Sequence, residues 1–256
     1  MNWKTFLAML HRDAHVARRN FVTLLLQTLF QPMLLVFVFG RVMTSSGLIT
    51  PAYKSMLLPG IIAIAMLLSG VWSVAMPLVS EFQFTKEIED RLLAPMEIEW
   101  VAVEKVVAGM LQAIAAGAVV IPTAWLVRGR GVELSFASPL EFAGLVILVS
   151  CLAASVGLVL GTTVGQGQIG LMFSLVIAPM IFFGCAYYPW SALESFPILQ
   201  KVVLVNPMVY ASEGFRSTLV PRFPHLPKAG IWVALLFFDV FFLSFGLRQF
   251  RRKAIL

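Results

Sequence analysis

The chain has 256 residues, of which 59% are hydrophobic and 12% charged, with a mean hydropathy of +0.89. A soluble domain carries about a quarter charged residues, so that class is excluded and a polytopic membrane protein is expected. The net charge of +6 does not call for nucleic acid, since Lys and Arg beside anionic lipid account for it and no zinc-finger spacing or basic-aromatic patch occurs.

Residues 1–19 read as an amphipathic helix. Trp3, Phe6, Leu7 and Leu10 fall at i, i+3, i+4 and i+7, with Lys4, Arg12 and Arg18 elsewhere, which suits a helix lying in the membrane interface. The alternative is a plain cytosolic tail. The stretch 1–20 is too charged, and too long before its first apolar window, for a cleavable signal peptide.

A spanning helix needs about 20 predominantly apolar residues. Charge-free windows then predict six spans, near 21–40, 56–80, 102–127, 142–162, 168–187 and 229–247. The fold class is an all-α membrane protein forming a single transmembrane domain over 1–256. Span one carries Pro32 and span two ends at Pro77, both sites of a possible kink. The small polar run Gly161–Gln168 separates spans four and five, and Arg128–Gly131 reads as a tight turn. Cys151 and Cys185 fall inside apolar spans and read as small buried hydrophobes.

An even number of spans puts both termini on one side. That side would hold 11 basic residues against 8 on the other, so the positive-inside rule favours cytosolic termini.

Between spans two and three lies a charged island, Glu81–Lys105, with seven of the thirteen acidic residues. Residues 55–80 before it and 106–127 after it carry no charge. Phe84, Ile88 and Leu92 share one face of a short helix, with Lys86, Glu87, Asp90 and Arg91 on the rest and Ala94-Pro95 as its stop. Its i, i+4 charge pairs contribute only about 0.2–0.5 kcal/mol each. The island therefore reads either as a docking surface for a complementary partner or as a solvated connecting loop.

After span five, Gly184–Pro227 is too long for a turn and too apolar for a solvated loop. Leu193, Phe196, Leu199 and Val203 fall near helical spacing. Asn206-Pro207 then offers an N-cap and a first helical position for a second short helix over Met208–Leu219. This is either a re-entrant hairpin buried in protein or a lid on the headgroups. Glu213 and Arg216, three apart, are placed to pair on one face of that helix and read as structural rather than catalytic.

Asp239 stands alone in the last span and must face protein or water. It is either a polar contact at a helix interface or translocation cavity, or a protonated or snorkelling residue that only packs. His11, His15 and His225 make no metal set, and neither G-x-S-x-G, H-E-x-x-H nor a P-loop occurs. ATP chemistry would thus belong to another polypeptide.

Six spans, the interfacial N-terminal helix, the island ending Glu87-Ile88-Glu89-Asp90-Arg91-Leu92-Leu93-Ala94-Pro95 and the segment Asn206-Pro207-Met208-Val209-Tyr210-Ala211-Ser212-Glu213-Gly214-Phe215-Arg216 together resemble the permease subunit of type-2 ABC exporters. The resemblance covers essentially the whole chain. It implies an elbow helix at 1–19, a cytosolic coupling region at 81–100 and extracellular gate helices at 188–227. Phe84, Lys86, Glu87, Ile88, Asp90, Arg91, Leu92 and Pro95 would then dock an ATP-binding cassette subunit, present in two copies. Pro207, Tyr210, Glu213 and Arg216 would belong to the gate, and Asp239 would be the intramembrane polar residue.

ATP and Mg would reside on the partner subunit, with no cofactor on this chain. A second permease chain, in a homodimer or beside a sister permease, and membrane lipids would complete the assembly in a prokaryotic cytoplasmic membrane. The resemblance implies export of an amphipathic or drug-like compound, or of a lipid-linked polysaccharide or lipid. An ion-coupled carrier using Asp239 and a non-transporting scaffold are the rival classes, and no internal repeat supports the former.

Overall fold

The structure is a computed structural model that describes residues 3–19, 51–83, 97–127 and 138–255, with isolated positions between 30 and 47. Among the described residues the regular structure is entirely helical. The principal elements are α1 (Trp3–Arg19), α2 (Pro51–Gln83), α3 (Ile98–Val127), α4 (Pro139–Thr163), α5 (Ile169–Phe182), α6 (Pro197–Val202), α7 (Pro207–Leu219) and α8 (Lys228–Ile255). The chain is helical for a simple reason: in lipid every backbone N–H and C=O must be satisfied within the segment.

Among the described residues four helices, α2, α3, α4 and α8, are long and apolar enough to cross a membrane. The window 21–40 predicted as span one lies almost wholly outside the described residues, as does the turn Arg128–Gly131. Span two does not end at Pro77: α2 runs through Pro59 and Pro77 to Gln83. Span four ends where the small polar run begins, with α4 stopping at Thr163 and a short 3-10 turn over Gln166–Gln168 before α5.

Span five needs correction. The helix covers Ile169–Phe182 rather than 168–187, with a π-helical stretch at Phe173–Ile177. At 1.5 Å per residue it reaches about 21 Å against a hydrocarbon core of about 30 Å. A run of apolar residues predicts burial but not where the backbone turns. Here it turns at Gly184, and Cys185 adopts φ 51, outside any span.

α4 is the central helix, packing against α2, α3 and α8. Its contact with α8 is parallel and in register. A Cβ on Gly144 would meet the Trp232 ring at 2.5 Å, and one on Gly246 would meet Leu158 at 2.9 Å. Both pairs have the same residue offset, so these glycines bring the helices close above and below a midpoint where Cys151 stands level with Asp239.

The two ends of the bundle differ. At one end the starts of α2, α4 and α8 meet α7: Tyr53 Oη donates to Tyr187 O at 2.8 Å, and Lys228 pairs with Glu141 at 2.6 Å. At the other end α1 and the start of α3 meet the last turns of α2, α4 and α8. There Lys253 Nζ donates to Thr162 O at 3.0 Å, and Arg251 pairs with Glu99 at 3.2 Å. Both terminal helices therefore reach the α1 end, where α2 ends and α3 begins.

Candidate functional site

At the α7 end the local sequence explains the local structure. Asn206 Oδ1 accepts from Met208 N at 3.0 Å, and its Nδ2 donates to Met180 O at 2.8 Å, fixing the start of α7 against α5. Pro207 occupies the first turn, where no intrahelical donor is lost. The segment before α7 is not one helix: Pro197 splits it into 3-10 turns at Trp190–Leu193 and Val203–Val205 around α6. Leu193 and Val203 are buried as their spacing predicts, but Phe196 points outward, 64% exposed.

The pair Glu213–Arg216 forms, and both side chains are fully buried. Sequence spacing foresaw the ion pair but not its partners. Glu213 Oε1 accepts from Trp190 N at 2.9 Å as well as from Arg216 Nη1, and its Oε2 accepts from Leu226 N at 2.9 Å. Arg216 Nη2 donates to Cys185 O at 2.9 Å. One acid and one base thus gather the turn after α5, the 3-10 turn and the lead into α8. Burial pulls the Arg216 guanidinium below its ordinary value, and the Glu213 charge opposes that pull.

Tyr210, the other predicted residue of this region, donates through Oη to Leu204 O at 2.9 Å and lays its ring 5.9 Å from that of Phe238 on α8. A main-chain approach completes the region. A Cβ on Gly60 of α2 would lie 1.9 Å from Ala186 O, so only glycine admits that turn against the helix.

The α1 end holds a second buried charge cluster. Lys105 of α3 is 4% exposed and donates to Glu81 Oε1 at 2.6 Å and Asp13 Oδ2 at 3.0 Å. Glu104 beside it is fully buried. The charged island is therefore not solvated along its whole length: both its ends lie within helices and face inward. The signal was present in the periodicity. Glu81 follows buried Val74 and Leu78 at helical spacing, and Lys105 follows buried Val101 and Ala102. α1 packs here through Phe6, whose ring stands edge-on to Trp100 at 6.3 Å, while Trp3 and Leu7 stay exposed. The predicted docking residues Phe84, Lys86, Glu87, Ile88, Asp90, Arg91, Leu92 and Pro95 lie outside the described residues.

Asp239 faces protein, at 6% exposed, and neither carboxylate oxygen has a hydrogen-bond partner. The α4–α8 register sets Cys151 of α4 level with it. A separate apolar cavity of about 80 Å³ lies among α2, α3 and α4, lined by Ile62, Met66, Gly117 and Phe142 among others. It does not include Asp239.

Residues 4–220 match the ABC-2 type transporter family. The chain belongs to that family. It is an ABC transporter permease component and a multi-pass membrane protein, and permeases of this family normally work with an ATP-binding partner. Among curated proteins none matches the sequence.

Proposed function

We propose that the chain is the transmembrane permease subunit of an ABC exporter that moves an amphipathic or drug-like compound outward, driven by ATP hydrolysis in a separate subunit. The observation that carries this reading is the family match over 4–220, which spans both the charged island and the segment Asn206–Arg216. The sequence contains no P-loop, so the nucleotide sits on a partner. Phe84 to Pro95 form the docking element for that partner, on the cytosolic side. With a first span near 21–40 and the shorter α5 counted as a crossing beside α2, α3, α4 and α8, both termini lie there, in agreement with the basic residues flanking them.

The α7 end then faces outward, with Pro207, Tyr210, Glu213 and Arg216 framing the exit. Two permease chains and two ATPase subunits make the working assembly, a homodimer in its simplest form, in a prokaryotic cytoplasmic membrane. ATP and Mg bind the ATPase alone.

Co-expression with an ATP-binding cassette subunit tests the reading. The two should co-purify, and reversing the charge of Glu87 or Arg91 should abolish both the complex and ATP-dependent efflux. Co-purification that ignores these reversals, together with unchanged efflux, removes the docking assignment. Efflux driven by a proton gradient without ATP favours a carrier instead.

A further inference from the structure

The two sides of α8 differ in chemistry along its whole length. Its buried residues, Ile231, Leu235, Asp239, Gly246 and Phe250, recur at helical spacing and form one row against the bundle. On the opposite side Phe237, Phe241 and Phe245 are exposed, at i, i+4 and i+8. Neighbouring rings stand 6.3 Å apart and nearly parallel, inclined by only 17° and 6°. They make a flat apolar wall that rises about 12 Å, within the ~15 Å of hydrocarbon in one leaflet.

Toward the end of the helix the same face turns polar. Exposed Ser244 stands one turn before exposed Arg248, and exposed Arg252 stands one turn beyond it. Like charges at i, i+4 repel each other. Among the described residues neither arginine has an acidic partner, whereas their neighbour Arg251 pairs with Glu99 at 3.2 Å. Lys253 turns inward instead, donating to Thr162 O at 3.0 Å and lying 4.8 Å from the Phe82 ring. An anion between Arg248 and Arg252 converts their repulsion into attraction, and planar guanidinium groups match phosphate oxygens in pairs.

In order along α8 the face thus presents an apolar wall, a hydroxyl donor and two guanidinium groups. A glycerophospholipid presents an acyl chain, an ester carbonyl and a phosphate in the same order. A headgroup that carries no cation of its own leaves both arginines to the phosphate.

We propose that this face of α8 binds one anionic glycerophospholipid, with an acyl chain along Phe237, Phe241 and Phe245, the ester at Ser244 and the phosphate between Arg248 and Arg252. The site is built from this chain alone, so it stands whatever the permease moves and whatever drives it.

Native mass spectrometry of the purified permease tests it, with phosphatidylglycerol and phosphatidylcholine of identical acyl chains as probes. Wild type should bind the first phosphatidylglycerol about tenfold more tightly than phosphatidylcholine. Raising the ionic strength should shrink that preference. Replacing both arginines, by Arg248→Gln and Arg252→Gln together, should bring the two lipids within about twofold of each other. Lys201→Gln, at an exposed base near the other end of the bundle, should leave the preference unchanged. Phe241→Ala should weaken both lipids alike, about threefold, because the acyl chain is common to them. All these side chains are exposed, so the variants should fold.

Equal binding of the two lipids by wild type overturns the proposal, as does a preference that survives the double substitution. A chain carrying Phe241→Cys and no other cysteine, embedded in phosphatidylglycerol nanodiscs, should form no disulfide with a second chain. Ready crosslinking there overturns the lipid assignment and gives the face to a second copy.

Discussion

The two buried charge clusters are built on opposite plans. At the α7 end, Glu213 and Arg216 are neighbours on one helix, and their remaining contacts go to main-chain atoms of Trp190, Leu226 and Cys185. At the α1 end, Lys105 meets Asp13 and Glu81, side chain to side chain, from three separate helices. Main-chain acceptors and donors cannot swing away, whereas carboxylates on long side chains can re-pair. The first cluster therefore welds irregular backbone into place, and the second ties three helices to one another through side chains.

The largest expected effect falls on the weld. Arg216→Met should leave the Glu213 carboxylate buried without its counter-charge, costing about 3–5 kcal/mol. Thermal unfolding in detergent would read this as loss of a cooperative transition, and a shift of only a degree or two would show that the cluster is not structural. Gly60→Ala comes next, because its Cβ would strike the Ala186 carbonyl and main chain cannot rotate aside. Overpacking of this kind costs roughly 1–3 kcal/mol, and amide exchange around 184–190 should rise with it.

Asn206→Ala removes the α7 cap and the hydrogen bond to Met180 O. It should cost about 1 kcal/mol, read from the same unfolding curves. The smallest effect belongs to Lys228→Met. That residue pairs with Glu141, but the two side chains are 45% and 38% exposed. Screening by water and salt leaves an exposed pair worth about 0–1 kcal/mol, so stability should hardly move. A large loss there would erase the contrast between welded and solvated pairs on which the comparison depends.

Asp239 belongs to neither plan. It is a buried carboxylate with no partner, set level with Cys151 in a glycine-tightened helix contact. Asp239→Asn keeps the shape and removes the charge, so the protein should unfold no earlier than wild type. Earlier unfolding would show that the charge itself is held by a contact at that interface.

Much of this was legible in the residues. Charge-free windows located α2, α3, α4 and α8, because lipid admits only satisfied backbone and long apolar runs satisfy it as helices. Asn206-Pro207 announced the start of α7, and the three-residue spacing of Glu213 and Arg216 announced their pairing, since both depend on neighbours in the chain. The family pattern was legible in the same stretches.

What tertiary structure alone decided were the contacts between distant residues. Glu81 and Lys105 carry the marks of a solvated island in sequence, yet they are buried because Asp13, more than sixty residues before Glu81, closes the site. The apolar run 168–187 promises a span, but the helix stops at Phe182 because the turn after it must reach Gly60 and the Arg216 guanidinium. The physical reason is the same in both cases. Helix formation is a local property that composition and periodicity encode, whereas the burial of a charge depends on which partner the fold delivers to it.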